Sequence, residues 1–232
     1  MEGLVVMVLV FGAILGISYF IRQNQNQKWA AIATSLGLEF IQGSFMGYPR
    51  MLGSFDGVDV VIDTETRGSG KSKTVYTRFT ATIPAVMPSG LALYKEGFLS
   101  GIGKFFGAQD IQVGDARIDE ALIIKGEDVA GVVRLLTEPG AADAAIEVVN
   151  SGSEGSVQGQ TVKILVHSVN TNEATHRLNL ELVASAARVL AGGAPRRAIA
   201  APSEASFFDH VGSPEAAPEP VPVPRAAPVP GP

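Results

Sequence analysis

Three places in the chain gather side chains that could do chemistry. The first is RGSGKSKT, residues 67–74, in which Gly70-Lys71-Ser72 copies the tail of a phosphate-binding loop. Such a loop needs a further glycine five positions earlier and a helix directly after the lysine, so that backbone N–H groups and the helix N-terminus face the phosphates. Here Glu65 holds the earlier position, and the next residues, TVYTRFTATI, alternate with the period of a strand. The stretch is therefore predicted to be a turn between two strands and not a nucleotide site. Arg67, Lys71 and Lys73 leave it basic, suited to an anion or to anionic lipid headgroups if the turn faces a membrane.

The second place is an acidic cluster, Asp110, Asp115 and Asp119, with Glu120 beside it. Carboxylates can hold a hard cation, but an EF-hand loop wants acids at alternate positions around a glycine, and this spacing does not supply them. Aspartates next to turns accept backbone N–H groups, so a structural role is expected. The third set is His167, His176 and His210, with Ser100 and Ser153 as candidate nucleophiles. No histidine has a second ligand at zinc-like spacing, and no serine sits in a G-x-S-x-G elbow. No catalytic, cofactor-binding or metal-binding residue is assigned on these grounds, and enzymatic activity is not favoured. Convergence of the three aspartates with His167 or His176 in the fold would reopen it.

The elements that must position these groups begin with an apolar run. Leu4 to Ile21 carries no charge over eighteen residues. As a helix it would cover roughly 27 Å, close to a bilayer's hydrocarbon thickness. Tyr19, Phe20 and Arg22 stand where interfacial residues are expected. The acidic start at Glu2, and the absence of a small-residue cleavage site before RQNQNQK, favour an uncleaved anchor over a signal peptide. Arg22 and Lys28 come after the run and no basic residue precedes it, which places the bulk of the chain on the cytoplasmic side. Gly12 and Gly16 form a GxxxG pair that would let two such helices approach in a weak homodimer; a simple abundance of glycine in membrane helices is the commoner reason for such a pair.

Beyond the run, QNQNQ reads as a short connector. KWAAIATSLG is an amphipathic helix with Trp29, Ile32, Ala33 and Leu36 on one face. Between 38 and 83 come short strand-like runs, with Asp56-Gly57 as a hairpin turn. LALYK, residues 91–95, suggests another strand, and Phe98 to Phe106 an aromatic segment beside the core or the bilayer. Val113-Gly114-Asp115 is expected to turn into a strand around Ala121–Ile124. Helices are predicted over EDVAGVVRLLT, over AADAAIEVVN, and from an N-cap at Asn170 to Gly192-Gly193. SVQGQTVKILVHS supplies one strand or a short hairpin.

From Pro195 on, ten of thirty-eight residues are proline. Such a tail is expected to be disordered and partly extended, spanning roughly 50–100 Å, and able to reach a protein partner. Phe207-Phe208 is its one apolar spot. The organisation predicted is thus 1–22 anchor, 23–37 connector and amphipathic helix, 38–193 an α+β domain with a mainly antiparallel sheet and several helices, and 194–232 a Pro/Ala-rich tail. The absence of cysteine excludes disulfides and thiolate chemistry. A formal net charge of −5 gives no basic face for nucleic acid.

The segment Gly114-Asp115-x-x-Ile118-Asp119-x-x-Leu122-x-Ile124-x-Gly126 resembles a G-D-x-x-F-D-x-x-F-x-V pattern of uncharacterised bacterial single-span membrane-anchored proteins. Ile118 and Leu122 stand for its two aromatics and Ile124 for its valine. The similarity covers about the middle third of the chain, and the order of anchor, β-rich region, motif and helices is similar too. The resemblance implies a bacterial inner-membrane setting and supplies no catalytic residue, since no activity is assigned to the group. The expected function is a membrane-tethered, non-enzymatic binding or scaffold protein. A membrane-associated enzyme and an anionic-lipid-binding module are the alternatives.

Overall fold

The computed structural model describes residues 2–43, 47–96 and 110–193. The Phe98–Phe106 segment, Ser100, His210, Phe207-Phe208 and the Pro/Ala-rich tail lie outside the described residues. Within them the chain is α+β, with one eight-stranded sheet and five helices. The strands are β1 (Glu39–Ile41), β2 (Arg50–Phe55), β3 (Val58–Arg67), β4 (Thr74–Thr82), β5 (Ala92–Tyr94), β6 (Ile123–Lys125), β7 (Glu154–Gln158) and β8 (Thr161–His167). They lie in the order β1-β2-β3-β4-β8-β7-β5-β6, each antiparallel to its neighbours. The helices are α1 (Glu2–Leu36), α2 (Ala116–Ala121), α3 (Val129–Thr137), α4 (Ala141–Val149) and α5 (Glu173–Leu190).

Alternation along the strands decides the two faces. Val60, Ile62, Phe79, Ala81, Val162, Ile164, Val157, Leu93 and Ile124 share one face and are buried under the helices. α5 lies over β3, β4 and β8, and α4 over β5, β7 and β8. α4 sits so close to β7 that a Cβ on Gly155 would fall 1.7 Å from the Val148 carbonyl oxygen; only glycine allows that approach. The β2–β3 hairpin turns at Asp56 (φ 52°) and Gly57 (φ 79°), the left-handed pair that a two-residue turn requires.

α1 differs from the predicted arrangement. It is one helix of 35 residues that runs through QNQNQ without a break. Its three glutamines are fair helix formers, and although the two asparagines are poorer ones, propagating a helix already nucleated on both sides costs little. Its last turns supply Trp29, Ile32, Ala33 and Leu36 to the core, beside β1, β2 and α5. Among the described residues no helix is long and apolar enough to cross a membrane. The side chains of Leu4, Val5, Val8, Ile14 and Leu15, five residues of the apolar run, lie outside the description.

Smaller corrections concern boundaries. Ala116–Ala121, expected in part as the approach to a strand, forms α2, and the strand begins only at Ile123. The N-cap of α5 is Asn172, whose side chain accepts from Thr175 N, while Asn170 Oδ1 accepts from Asn172 N. SVQGQTVKILVHS resolves into the hairpin β7–β8.

Candidate functional site

The densest array of charged side chains lies on the sheet face away from the helices. On β3, Asp63, Glu65 and Arg67 point to this face at every second residue. β4 places Arg78 directly opposite Asp63. β8 adds Lys163, and β7 adds Glu154. Arg78 grips Asp63 with Nε and Nη2, both at 2.7 Å, and reaches Glu65 at 3.2 Å. Arg67 donates from Nε to Glu65 at 2.6 Å and takes Glu154 two-pronged through Nη1 and, at 2.9 Å, Nη2. Lys163 Nζ stands 3.6 Å from Glu154. Tyr76 packs below Arg67, and His167 meets the Tyr76 ring edge-on.

Three carboxylates thus face three cations, and the array is neutral. Burial would raise the Glu65 carboxyl, but the hydrogen bond from Arg67 and the charges of Lys163, Arg67 and Arg78 hold it below the usual carboxylate range. Arg67 is held charged by its bond to Glu154, against the cost of burial. Arg78 is held likewise by Asp63. Glu65, Arg67 and Arg78 are thus each held in the charged form by their partners. The arrangement staples β3, β4, β8 and β7 together.

The sequence groups Arg67 with Lys71 and Lys73 as a basic tip. The structure separates them: Arg67 belongs to the sheet array, while Lys71 and Lys73 are exposed at a single 3-10 turn, Gly70–Ser72, between β3 and β4. No helix comes after the turn, so the phosphate-loop geometry is absent there.

The three aspartates have separate tasks. Asp115 caps α2 by accepting from Arg117 N at 2.9 Å. Asp119 reaches back to accept from Val113 N at 2.8 Å and Gly114 N at 3.0 Å, an approach made possible by the left-handed Gly114 (φ 86°). Asp110 pairs with Lys125 Nζ at 2.5 Å. A recess of about 310 Å³ adjoins Asp115, lined also by Val113, Arg117, Leu136, Glu138 and Asp143. Arg117 and Asp143 close on each other beside it. Among the described residues no three His, Asp or Glu side chains gather as metal ligands.

His167 and His176, the two histidines among the described residues, do not join the aspartates. His167 stands on the sheet face beside Tyr76. His176 is fully buried between the Trp29 and Phe79 rings, at centroid distances of 5.2 and 5.3 Å. Its Nε2–H donates to the Asn170 carbonyl at 3.0 Å, which also accepts from Trp29 Nε1 at 2.8 Å. Thr77, buried on β4, donates to Ser168 O at 2.8 Å and accepts from Asn170 N at 2.7 Å. This knot fastens α1, β4 and the entry to α5. Ser153 is exposed in the β7 approach with its N–H on Leu165 O.

Sequence reasoning missed both the sheet array and the knot. The i, i+2, i+4 placement of Asp63, Glu65 and Arg67 signals one shared face. Nothing local signals that Glu154 and Lys163 complete it. In comparisons with protein families, with curated proteins and with solved structures, no match to this chain was found.

Proposed function

We propose that the chain is a membrane-tethered, non-enzymatic binding or scaffold protein. Residues 4–21 lie in a bacterial inner membrane, and the α+β domain is on the cytoplasmic side. The observation that carries it is the surface of α1. Val6, Met7, Leu9, Val10, Phe11, Ile17, Tyr19, Phe20 and Ile21 are exposed by 52% to 72%. Among the other described residues the exposed large apolar side chains are scattered singly, at Ile41, Val86, Val129 and Leu178. A helix apolar on every side needs an apolar surround, and lipid supplies one. The positive flank at Arg22 and Lys28 speaks for the cytoplasmic orientation. The resemblance of the Gly114–Gly126 segment speaks for the bacterial setting.

The separate structural tasks of Asp110, Asp115, Asp119 and His176, and the mutual neutralisation of the sheet array, speak for binding over catalysis. The tail from 194 on is the segment proposed to reach a partner. Gly12 and Gly16 have open space where a Cβ would stand, which leaves that helix face free for a weak homodimer.

The test is extraction and topology. The full chain should stay in the membrane fraction through alkaline carbonate and leave it only with detergent. Protease added to intact spheroplasts should spare the domain. Carbonate release, or cleavage from outside, would overturn the anchor or its orientation. Partner recovery that is unchanged on deleting residues 195–232 would remove the tail from the proposal.

A further inference from the structure

If α1 is embedded, one end of the domain must come down to the bilayer surface, and the contacts say which. Arg22 is the first residue past the apolar run. A helical side chain leans toward the helix N-terminus and covers the turn before its own Cα, so the Arg22 guanidinium lies level with Tyr19 and Phe20. There its Nη1 donates to Gly47 O at 2.7 Å, and its Cζ stands 5.3 Å from the centre of the Tyr48 ring. Gly47 and Tyr48, just before β2, are thereby held at the height where the apolar run ends.

Strand register brings a second element to the same end. Ile41 pairs with Arg50 and Met51 with Ile62, while the Asp56-Gly57 turn closes the opposite end. β3 continues past Ile62 to Arg67 before its own turn. The Gly70–Ser72 turn therefore projects from the end that carries Tyr48. The knot fixes the height independently, because Trp29 and Thr77 meet through Asn170. From Trp29 back to Arg22 is about 10 Å along a helix, and from Thr77 back to Lys73 is about 13 Å along a strand. The two descents are comparable, so the turn arrives near the level of Arg22. Arg50, Lys71 and Lys73 are exposed at this end, and none of the three makes an ion pair among the described residues.

We propose that the end of the sheet formed by Tyr48, Arg50 and the turn bearing Lys71 and Lys73 is a docking surface for anionic phospholipid headgroups. It holds the domain down on the cytoplasmic leaflet. Tyr48 takes the interfacial position that amphipathic aromatics favour, and the lysines and Arg50 are drawn to the negative surface potential. This rests on the anchor reading, and the experiment separates the two.

The chain has no cysteine, so single-cysteine variants of the full-length protein accept one fluorophore each. Tyr48→Cys and Lys71→Cys report the proposed surface. Val86→Cys, exposed by 94% and beyond the far end of β4, is the reference. In vesicles containing phosphatidylglycerol, headgroup-quencher lipids should quench the probes at 48 and 71 and leave the one at 86 bright. Replacing Lys73 with Gln should lower the bound-to-free ratio of the turn roughly fivefold, and raised salt should weaken it further. Retention through carbonate with the probe at 71 as bright as that at 86 overturns the docking surface alone. Equal quenching in purely zwitterionic vesicles overturns its anionic selectivity. Release by carbonate overturns the anchor and the docking surface together.

Discussion

At the residue scale, the Asn170 carbonyl accepts from both Trp29 and His176, and His176 Nδ1 is buried with no hydrogen-bond partner. Burial disfavours the imidazolium and lowers the His176 pKa from its ordinary 6.5, with the bond to Asn170 opposing in part. Protonation would therefore put a charge among Trp29, Phe79 and the core. The folded form binds fewer protons than the unfolded chain between the lowered value and 6.5, so stability declines as pH falls through that window and levels off below it. Glu65 acts lower down: its depressed carboxyl contributes stability that is full above 4.5 and is lost as pH falls through the folded value. Thermal midpoints of the detergent-solubilised protein should therefore drop in two stages on acidification. In His176→Phe the first stage should vanish. The sequence puts His176 on a helix without a ligand partner, but its depth was not legible, because the rings that enclose it come from α1 and β4.

At the element scale, the pattern of strands and helices was largely legible. Alternation in Val75–Ile83, the Asp56-Gly57 pair and the helical spacing in Val129–Leu136 depend on neighbours a few residues apart, and such signals survive in a bare sequence. What failed had a local ambiguity. The apolar residues of Ala121–Ile124 concealed the short α2 before them. The polar QNQNQ has no apolar stripe, yet it continues a helix begun on either side. The sheet array depends on β7 and β8 arriving beside β4, and loop closure over 87 residues between Arg67 and Glu154 has no local signature.

The acidic turn illustrates how a site-like cluster becomes scaffold. Asp119 satisfies two N–H groups at the entry to α2. Asp119→Ala should cost about 1 kcal/mol, the net worth of a hydrogen bond whose donors water can then reach. The loss, read as a lowered denaturation midpoint, should be the same with and without millimolar calcium. A calcium-dependent difference would restore a cation to this turn.

At the scale of the whole molecule, the apolar end of α1 and its core-forming end belong to one unbroken helix. Residues 22–28 act as a rigid shaft, and a shaft transmits rotation. Each residue inserted among the glutamines turns the domain by about 100° about the helix axis and lifts it by about 1.5 Å. With α1 embedded as proposed, one added residue should swing Lys71 away from the proposed docking position, while four, a little over a full turn, should nearly restore the original heading. Two glycines in the same place would break the shaft and let the domain swivel. The heading of the domain about the apolar helix thus follows from the number of residues between Ile21 and Trp29, a stretch of glutamines and asparagines that looks like filler.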